Sequence, residues 1–471
     1  MSPPASARPA STLVLAVIVS CELALMLDAT IMNVALPAVR DGLGFTPAGL
    51  SWVSTAFLLA FGGLLLLGGR AGDVFGRRRV FLAGMAVFTL ASLLGGLAPG
   101  PGWLVAARAL QGAGAALAGP ATLALLVTHF TGERQARALG VYSAVTASAM
   151  TLGLVLGGLI TAALSWRWVL FVNVPLGLFV LAVAPRRLGE TPRSPGRFDV
   201  AGGLTSVAGL VALTFGLARA EHGWSDPLAV SGLAVGAALL AVFVLVERRA
   251  ARPVLPPSLF ADRARAGALA ALLLVPMVTM SAQFLLVQYF QEVAGFGSLR
   301  SGLAFLPMAA GMFATARHAP AAVTRLGGRV VALGGIASMA AALGWLVPLS
   351  DGYWLGAAGP LLLLGAGLGY VVVPLNMAIM ATVDPAEAGA ASGVLQAAML
   401  TGASLGVAVL SAVRVSAGGP ALPGGLGAAF ATGLGVLAVA FLVVLATLRG
   451  RDGGAISTPE PESATPAPHP S

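Results

Sequence analysis

Long apolar runs alternate with short polar breaks along almost the whole chain. The runs lie near 13–37, 48–69, 80–98, 102–128, 139–163, 168–184, 200–217, 228–246, 266–290, 301–316, 330–349, 355–379, 391–415 and 426–447. A helix needs about 20 apolar residues to cross a bilayer. The pattern therefore predicts an all-α polytopic membrane protein with fourteen transmembrane helices. The runs at 301–316 and 391–415 are the least clean, the first being interrupted by Pro307. Residues 1–12 and 448–471 are rich in Pro, Ser and other residues that cannot build a core, and read as disordered tails.

Composition agrees with this pattern. Of 471 residues, 58% are hydrophobic and 10% charged, against about 45–50% and 25% in soluble domains. A mean hydropathy of +0.92 excludes a soluble enzyme. The 62 glycines and 30 prolines suit closely packed, locally broken helices. Ile18-Val19-Ser20-Cys21 resembles a lipoprotein cleavage site, but the apolar run continues past Cys21, so a retained helix is expected.

All 27 basic residues are arginines. Without lysine there is no P-loop amine for ATP and no Schiff base for retinal or pyridoxal. A chain free of lysine and rich in Ala and Gly also points to a GC-rich bacterial genome. Cys21 is the single cysteine, so no internal disulfide forms. His129, His222, His318 and His469 show no metal-ligand spacing, and neither metal nor cofactor is expected. The net charge of +9 reports topology rather than nucleic acid. With the N-terminus inside, only Arg40, Arg167, Arg219, Arg300 and Arg414 fall outside, Arg108 lies in the membrane, and the remaining arginines are cytoplasmic. Both termini are then cytoplasmic, and the protein is placed in the bacterial plasma membrane as a multi-pass protein.

Charges inside the hydrocarbon are functional candidates. Glu22 and Asp28 share the first span but point about 120° apart, and Glu22 lines up with Asn33. Burial favours the neutral form of a carboxyl group and a nearby cation the charged form, so small rearrangements load or release a proton. Arg108 lies ~9 Å into the fourth span and Asp28 ~15 Å into the first from the same side, a gap that an arginine side chain closes. The pair reads either as proton-coupling machinery or as a fixed structural ion pair. The loop Gly69–Arg79 sets Asp73 and Gly76 among Arg70 and Arg77–Arg79, a candidate conformational latch. In the fifth span Gly153 and Gly157, with Gly158 beside them, permit close helix approach.

Together these residues resemble the major facilitator superfamily, specifically its fourteen-span drug:proton antiporter branch. The resemblance rests on Asp28-Ala29-Thr30 followed by Asn33–Pro37, on the Asp73/Gly76/Arg77 loop, and on Arg108 with Gln111-Gly112. Trp166-Arg167-Trp168, Asn173–Gly177, Phe198-Asp199, Gly223-Trp224, Tyr289–Gln291 and Ala390–Gly393 extend it over nearly the whole chain. Ala71 departs from the loop motif, and Met150 and Leu154 stand where the branch carries prolines in the fifth span.

The resemblance implies two pseudo-symmetric six-helix bundles, 13–184 and 266–447, with two inserted helices and their linkers at 185–265. It also implies a proton-coupled exporter of amphipathic small molecules, with Asp28, Arg108 and Glu22 handling protons and no partner beyond substrate, protons and lipid. A monomer is expected. Candidates for an adaptable pocket are Asn33, Phe57, Phe61, Gln111, Tyr142, Met277, Met280, Gln283 and Gln288. Two alternatives are a dedicated exporter of one secondary metabolite and a non-transporting membrane sensor.

Overall fold

The computed structural model describes residues 12–130, 132–190, 200–220, 223, 225–249, 261–348, 352–380, 388–418 and 425–448. Every apolar run predicted from sequence falls on helix. The first half contains α1 (Thr12–Leu43), α2 (Pro47–Phe75), α3 (Arg77–Gly96), α4 (Pro101–His129), α5 (Gly132–Ala163), α6 (Arg167–Phe171) and α7 (Asn173–Arg187). Next come α8 (Val200–Arg219) and α9 (Pro227–Arg249). The second half contains α10 (Arg263–Gln288), α11 (Ser298–Leu303), α12 (Leu306–Leu326), α13 (Gly328–Leu346), α14 (Gly359–Met380), α15 (Ala388–Gly418) and α16 (Leu426–Thr447). Among the described residues, 10 helical stretches are long and apolar enough to cross a membrane, and Gly49–Leu65, Leu152–Ala163 and Gly202–Leu217 are shorter apolar helices.

Two predicted runs are interrupted, the second at Pro307, where an interruption is expected. The run at 168–184 divides at Val172 into α6 and α7. Pro175 has no N–H to offer the carbonyl of Phe171, one turn back, so the helix restarts there. The run at 301–316 divides between α11 and α12, with Pro307 in the first turn of α12, where its missing N–H costs nothing. π-helical turns at Tyr289–Val293 and Trp354–Ala358 adjust two further ends.

In the first half α4 packs on α2 and α3, α1 on α5 and α7, and α3 on α7. In the second half α14 packs on α12 and α13, and α10 on α15 and α16. α8 and α9 pair with each other, and α8 also touches α2 and α15. The halves meet where α2 lies against α15 and where α5 lies against α11. Equivalent turns recur: Gly44 and Gly76 have φ of 71° and 101°, and Gly295 and Gly327, equally spaced after them, have 67° and 85°. Only glycine adopts that backbone without strain, so both halves carry the same breaks. Between α8 and α9, Asp226 caps α9 by accepting from the Leu228 and Ala229 N–H groups and pairs with Arg219 at 3.3 Å. Those contacts, led by the Ala229 N–H, hold its carboxyl below the usual carboxylate range.

Candidate functional site

Asp28 is fully buried in the middle of α1 and receives three donors. Arg108 Nη1 lies 2.5 Å from its Oδ2, Gln111 Nε2 3.0 Å from its Oδ1, and Asn173 Nδ2 2.7 Å from the same Oδ1. Arg108 is anchored independently. Its Nε donates to the Val53 carbonyl at 3.0 Å, its Nη1 also reaches Gln111 Oε1 at 2.8 Å, and its guanidinium stacks 4.3 Å from the Phe57 ring centre. Gln111 donates further to Ser92 Oγ at 2.7 Å, and Ser92 returns its hydrogen to the Phe88 carbonyl. Four helices and the α6–α7 break thus converge on one carboxylate, and a cation stands beside it out of reach of water.

Small residues let these helices approach. A Cβ on Gly112, one turn from Arg108, would lie 2.3 Å from the Phe57 carbonyl oxygen, so only glycine lets α4 sit against α2 closely enough for Arg108 to reach Val53. A Cβ on Gly177, one turn from Asn173, would lie 1.9 Å from Thr89 Oγ1, which fixes how closely α7 meets α3. Of this cluster, Asp28, Arg108 and Gln111 are candidates from sequence, the last as a pocket residue. Asn173 and Ser92 are not. A neutral carboxamide within the otherwise apolar run 168–184 was the available signal for Asn173.

Glu22 stands apart from this cluster, as its helical angle requires. It is buried, and the Tyr142 hydroxyl reaches it while also lying 3.4 Å from Thr122 Oγ1. Asn33 accepts from Ser54 Oγ at 3.1 Å and directs its amide at Met280 Sδ, 3.8 Å away in the other half. Tyr142, Met277 and Met280 are partly exposed. Phe57 and Phe61 are fully buried, 5.8 Å apart between ring centres, Phe57 beneath Arg108 and Phe61 against Gly119. Gln283 donates to Met308 Sδ at 3.6 Å with its Oε1 unpartnered, and Gln288 bonds back to the Phe284 carbonyl.

Gly76 joins α2 to α3, and Arg77 begins α3; the Asp73 side chain lies outside the described residues. Glu190, which follows α7 and was not a candidate, holds this loop. It accepts the Arg78 N–H at 3.2 Å and lies 3.8 Å from Arg79 Nε, while Arg78 also donates to the Pro185 carbonyl. The fifth-span glycines divide between two partners. Added Cβ atoms on Gly153 and Gly157 would meet Thr30 and Ile31 of α1, and one on Gly158 would lie 2.5 Å from the Ser298 carbonyl oxygen in α11. Phe198, Asp199, Trp224, His222, His469 and residues 1–11 and 449–471 of the tails lie outside the described residues, while Thr12 already belongs to α1. Among the described residues no three His, Cys, Asp or Glu side chains gather as a metal site.

Apolar helices packed around a dry, charge-paired polar cluster are the build of a multi-pass membrane protein. The pattern of the Major Facilitator Superfamily matches residues 18–407, and the chain belongs to that family. It is a multi-pass protein of the bacterial cytoplasmic membrane. It is 42% identical over 414 residues to the puromycin resistance protein pur8 of Streptomyces alboniger, covering 86% of this chain and 82% of that protein. With the cephamycin export protein CmcT of Amycolatopsis lactamdurans it shares 40% over 452 residues, 93% of each. Among solved structures, that of the POT family transporter PepTSo superposes with a TM-score of 0.68 at 14% identity, covering 92% of this chain and 97% of that one. At that identity the likeness speaks for the fold.

Proposed function

We propose that this chain is a drug:proton antiporter that exports amphipathic small molecules across the cytoplasmic membrane by alternating access. Fourteen spans, both termini cytoplasmic, form two six-helix bundles that rock about a midplane site, with α8 and α9 inserted between them. The observation that carries the reading is the buried carboxylate of Asp28 facing a separately anchored Arg108. Because Val53, Gln111 and Phe57 hold the guanidinium, it stays in place when Asp28 is neutralised. Protonation then removes one charge from a buried pair, a large local change for the two conformations to respond to differently. Each proton entering down the gradient contributes about 2.3 kcal/mol per 100 mV of potential.

Substrate would lie where Met26, Ala29, Tyr142, Met280, Ala397 and Leu400 are packed but only partly buried, with Asn33 as a polar contact. Flexible Met side chains suit varied apolar ligands. A second reading, the dedicated exporter of one antibiotic, is supported by the two relatives above, each named for a single compound or class. Energised everted vesicles test the proposal. Addition of lipophilic cations and neutral antibiotics is expected to release protons in wild type and not in Asp28→Asn at equal protein level. Release that survives the substitution removes Asp28 from the coupling path, and a response confined to one compound class selects the dedicated exporter.

A further inference from the structure

Three donors surround Asp28 in a geometry made for an anion. A protonated Asp28 brings its own hydrogen into this ring, so one donor must give way or become an acceptor. Arg108 has no acceptor to offer and is pinned at Val53. Gln111 is held at both ends: its amide nitrogen serves Asp28 and Ser92, and its oxygen is fixed on Arg108. Asn173 differs from both. Among the described residues its side chain makes one hydrogen bond, to Asp28, and its Oδ1 is buried without a partner. The amide must turn its nitrogen toward an ionised carboxylate, which leaves that oxygen orphaned at the cost a buried acceptor carries. A half-turn about χ2, a torsion with broad two-fold preference, exchanges the two atoms.

We propose that Asn173 is the positioning residue that registers the proton on Asp28, donating to the carboxylate and turning over to accept the new O–H through its own Oδ1. The proton arrives from water and forms one O–H bond on Asp28; that bond breaks on release and the amide turns back. The inference rests on Asp28 being the proton site. It gives the α6–α7 break a task, because Asn173 is the first residue of α7 and couples the turn of its amide to the place where that span restarts. In each protonation state Asp28 thereby keeps a partner of the right kind, and only the far end of the Asn173 amide is left unmet.

The test is the pH dependence of drug-evoked proton release in vesicles. Asn173→Leu removes a bond to the anion and a weaker one to the neutral acid, the former about twice as strong. The midpoint is expected to move up by about one pH unit. Asn173→Ser, which keeps a group able to donate and accept, is expected to stay nearer wild type, and Ser338→Ala in the other half to leave the midpoint in place. Independently of transport, infrared difference spectra of purified protein between acid and alkaline buffer should show an amide carbonyl band. That band should be absent in both Asn173→Leu and Asp28→Asn. An unshifted midpoint, or a band that persists in Asn173→Leu, would reduce Asn173 to a packing residue while leaving Asp28 its role. Release that persists in Asp28→Asn would overturn the proton site itself.

Discussion

At the scale of single residues, the choice of arginine at 108 has consequences that charge alone does not. A guanidinium spreads its donors over a fork, so Arg108 serves Asp28, Gln111 and Val53 together and lies flat on Phe57. A lysine would bring the same charge as a single point on a mobile stem and would follow Asp28 instead of standing still. Arg108→Lys is therefore expected to leave protein in the membrane at near-normal level while lowering drug-driven proton exchange by about tenfold or more, since removing a partner from a buried pair costs about 3–5 kcal/mol and a substitute recovers only part. Exchange at wild-type rate in vesicles would show that the anchoring contacts are dispensable. The separation of Glu22 from Asp28 was legible in the sequence, because helical geometry alone sets their angle. The partners of each were not, since Tyr142 and Asn173 come from remote helices that one helix's periodicity says nothing about.

At the scale of helices, glycine positions decide how closely neighbouring spans approach and so whether polar side chains meet. Gly177 is the sharpest case. A Cβ there falls 1.9 Å from Thr89 Oγ1, so α7 must move away from α3 and carry Asn173 with it. Gly177→Ala is expected to destabilise the purified protein by about 1–3 kcal/mol, the usual range for overpacking, seen as a lower Tm, and to weaken proton exchange. Thr89→Ala in the same chain should restore part of both. A loss of Tm that Thr89→Ala leaves untouched would locate the strain elsewhere. The interruption at Pro307 was legible in the sequence, while the one at Val172 was not, because the proline effect is local and the apolar run extends across it. The latch loop shows the converse: its glycine and arginines stand in the sequence as expected, yet Glu190, lying far along the chain, is what holds them.

For the molecule as a whole, the two halves share a backbone plan but not a chemistry. The repeated turn glycines mark the common plan, while Asp28, Arg108, Gln111 and Asn173 all belong to the first half. Polar links between halves include the ion pair of Arg40 with Glu292 and the bond from Gln291 to the Val34 carbonyl. Both lie at the end where α1 finishes, the outer end in the proposed topology. Gly158 against Ser298 and Gly302 against Leu154 bring α5 and α11 together. Partly exposed pairs such as Arg40–Glu292 contribute little, about 0–1 kcal/mol, enough to bias the proposed rocking equilibrium without locking it. With Cys21 buried, a variant carrying Arg40→Cys and Glu292→Cys offers two reactive thiols. Bridging them with a short bifunctional reagent is expected to abolish drug-evoked proton release, and reduction of a cleavable bridge to restore it. Full activity in the bridged protein would mean that this end need not open.

Length and pattern of apolar runs determined by themselves that the chain is a helical membrane protein, because backbone hydrogen bonds must close within each helix wherever water is absent. Charge inside those runs likewise marked Asp28, Glu22 and Arg108, since the cost of burying a charge makes each one conspicuous. Tertiary structure alone decided which of them meet. Asp28 could have faced lipid or Arg108 with the same sequence periodicity. The approach of α4 and α7 across their glycines brought Arg108, Gln111 and Asn173 to its two oxygens. Neutral polar residues such as Asn173 and Ser92 cost too little in isolation to stand out, and they acquire meaning only from the partner that packing puts in front of them.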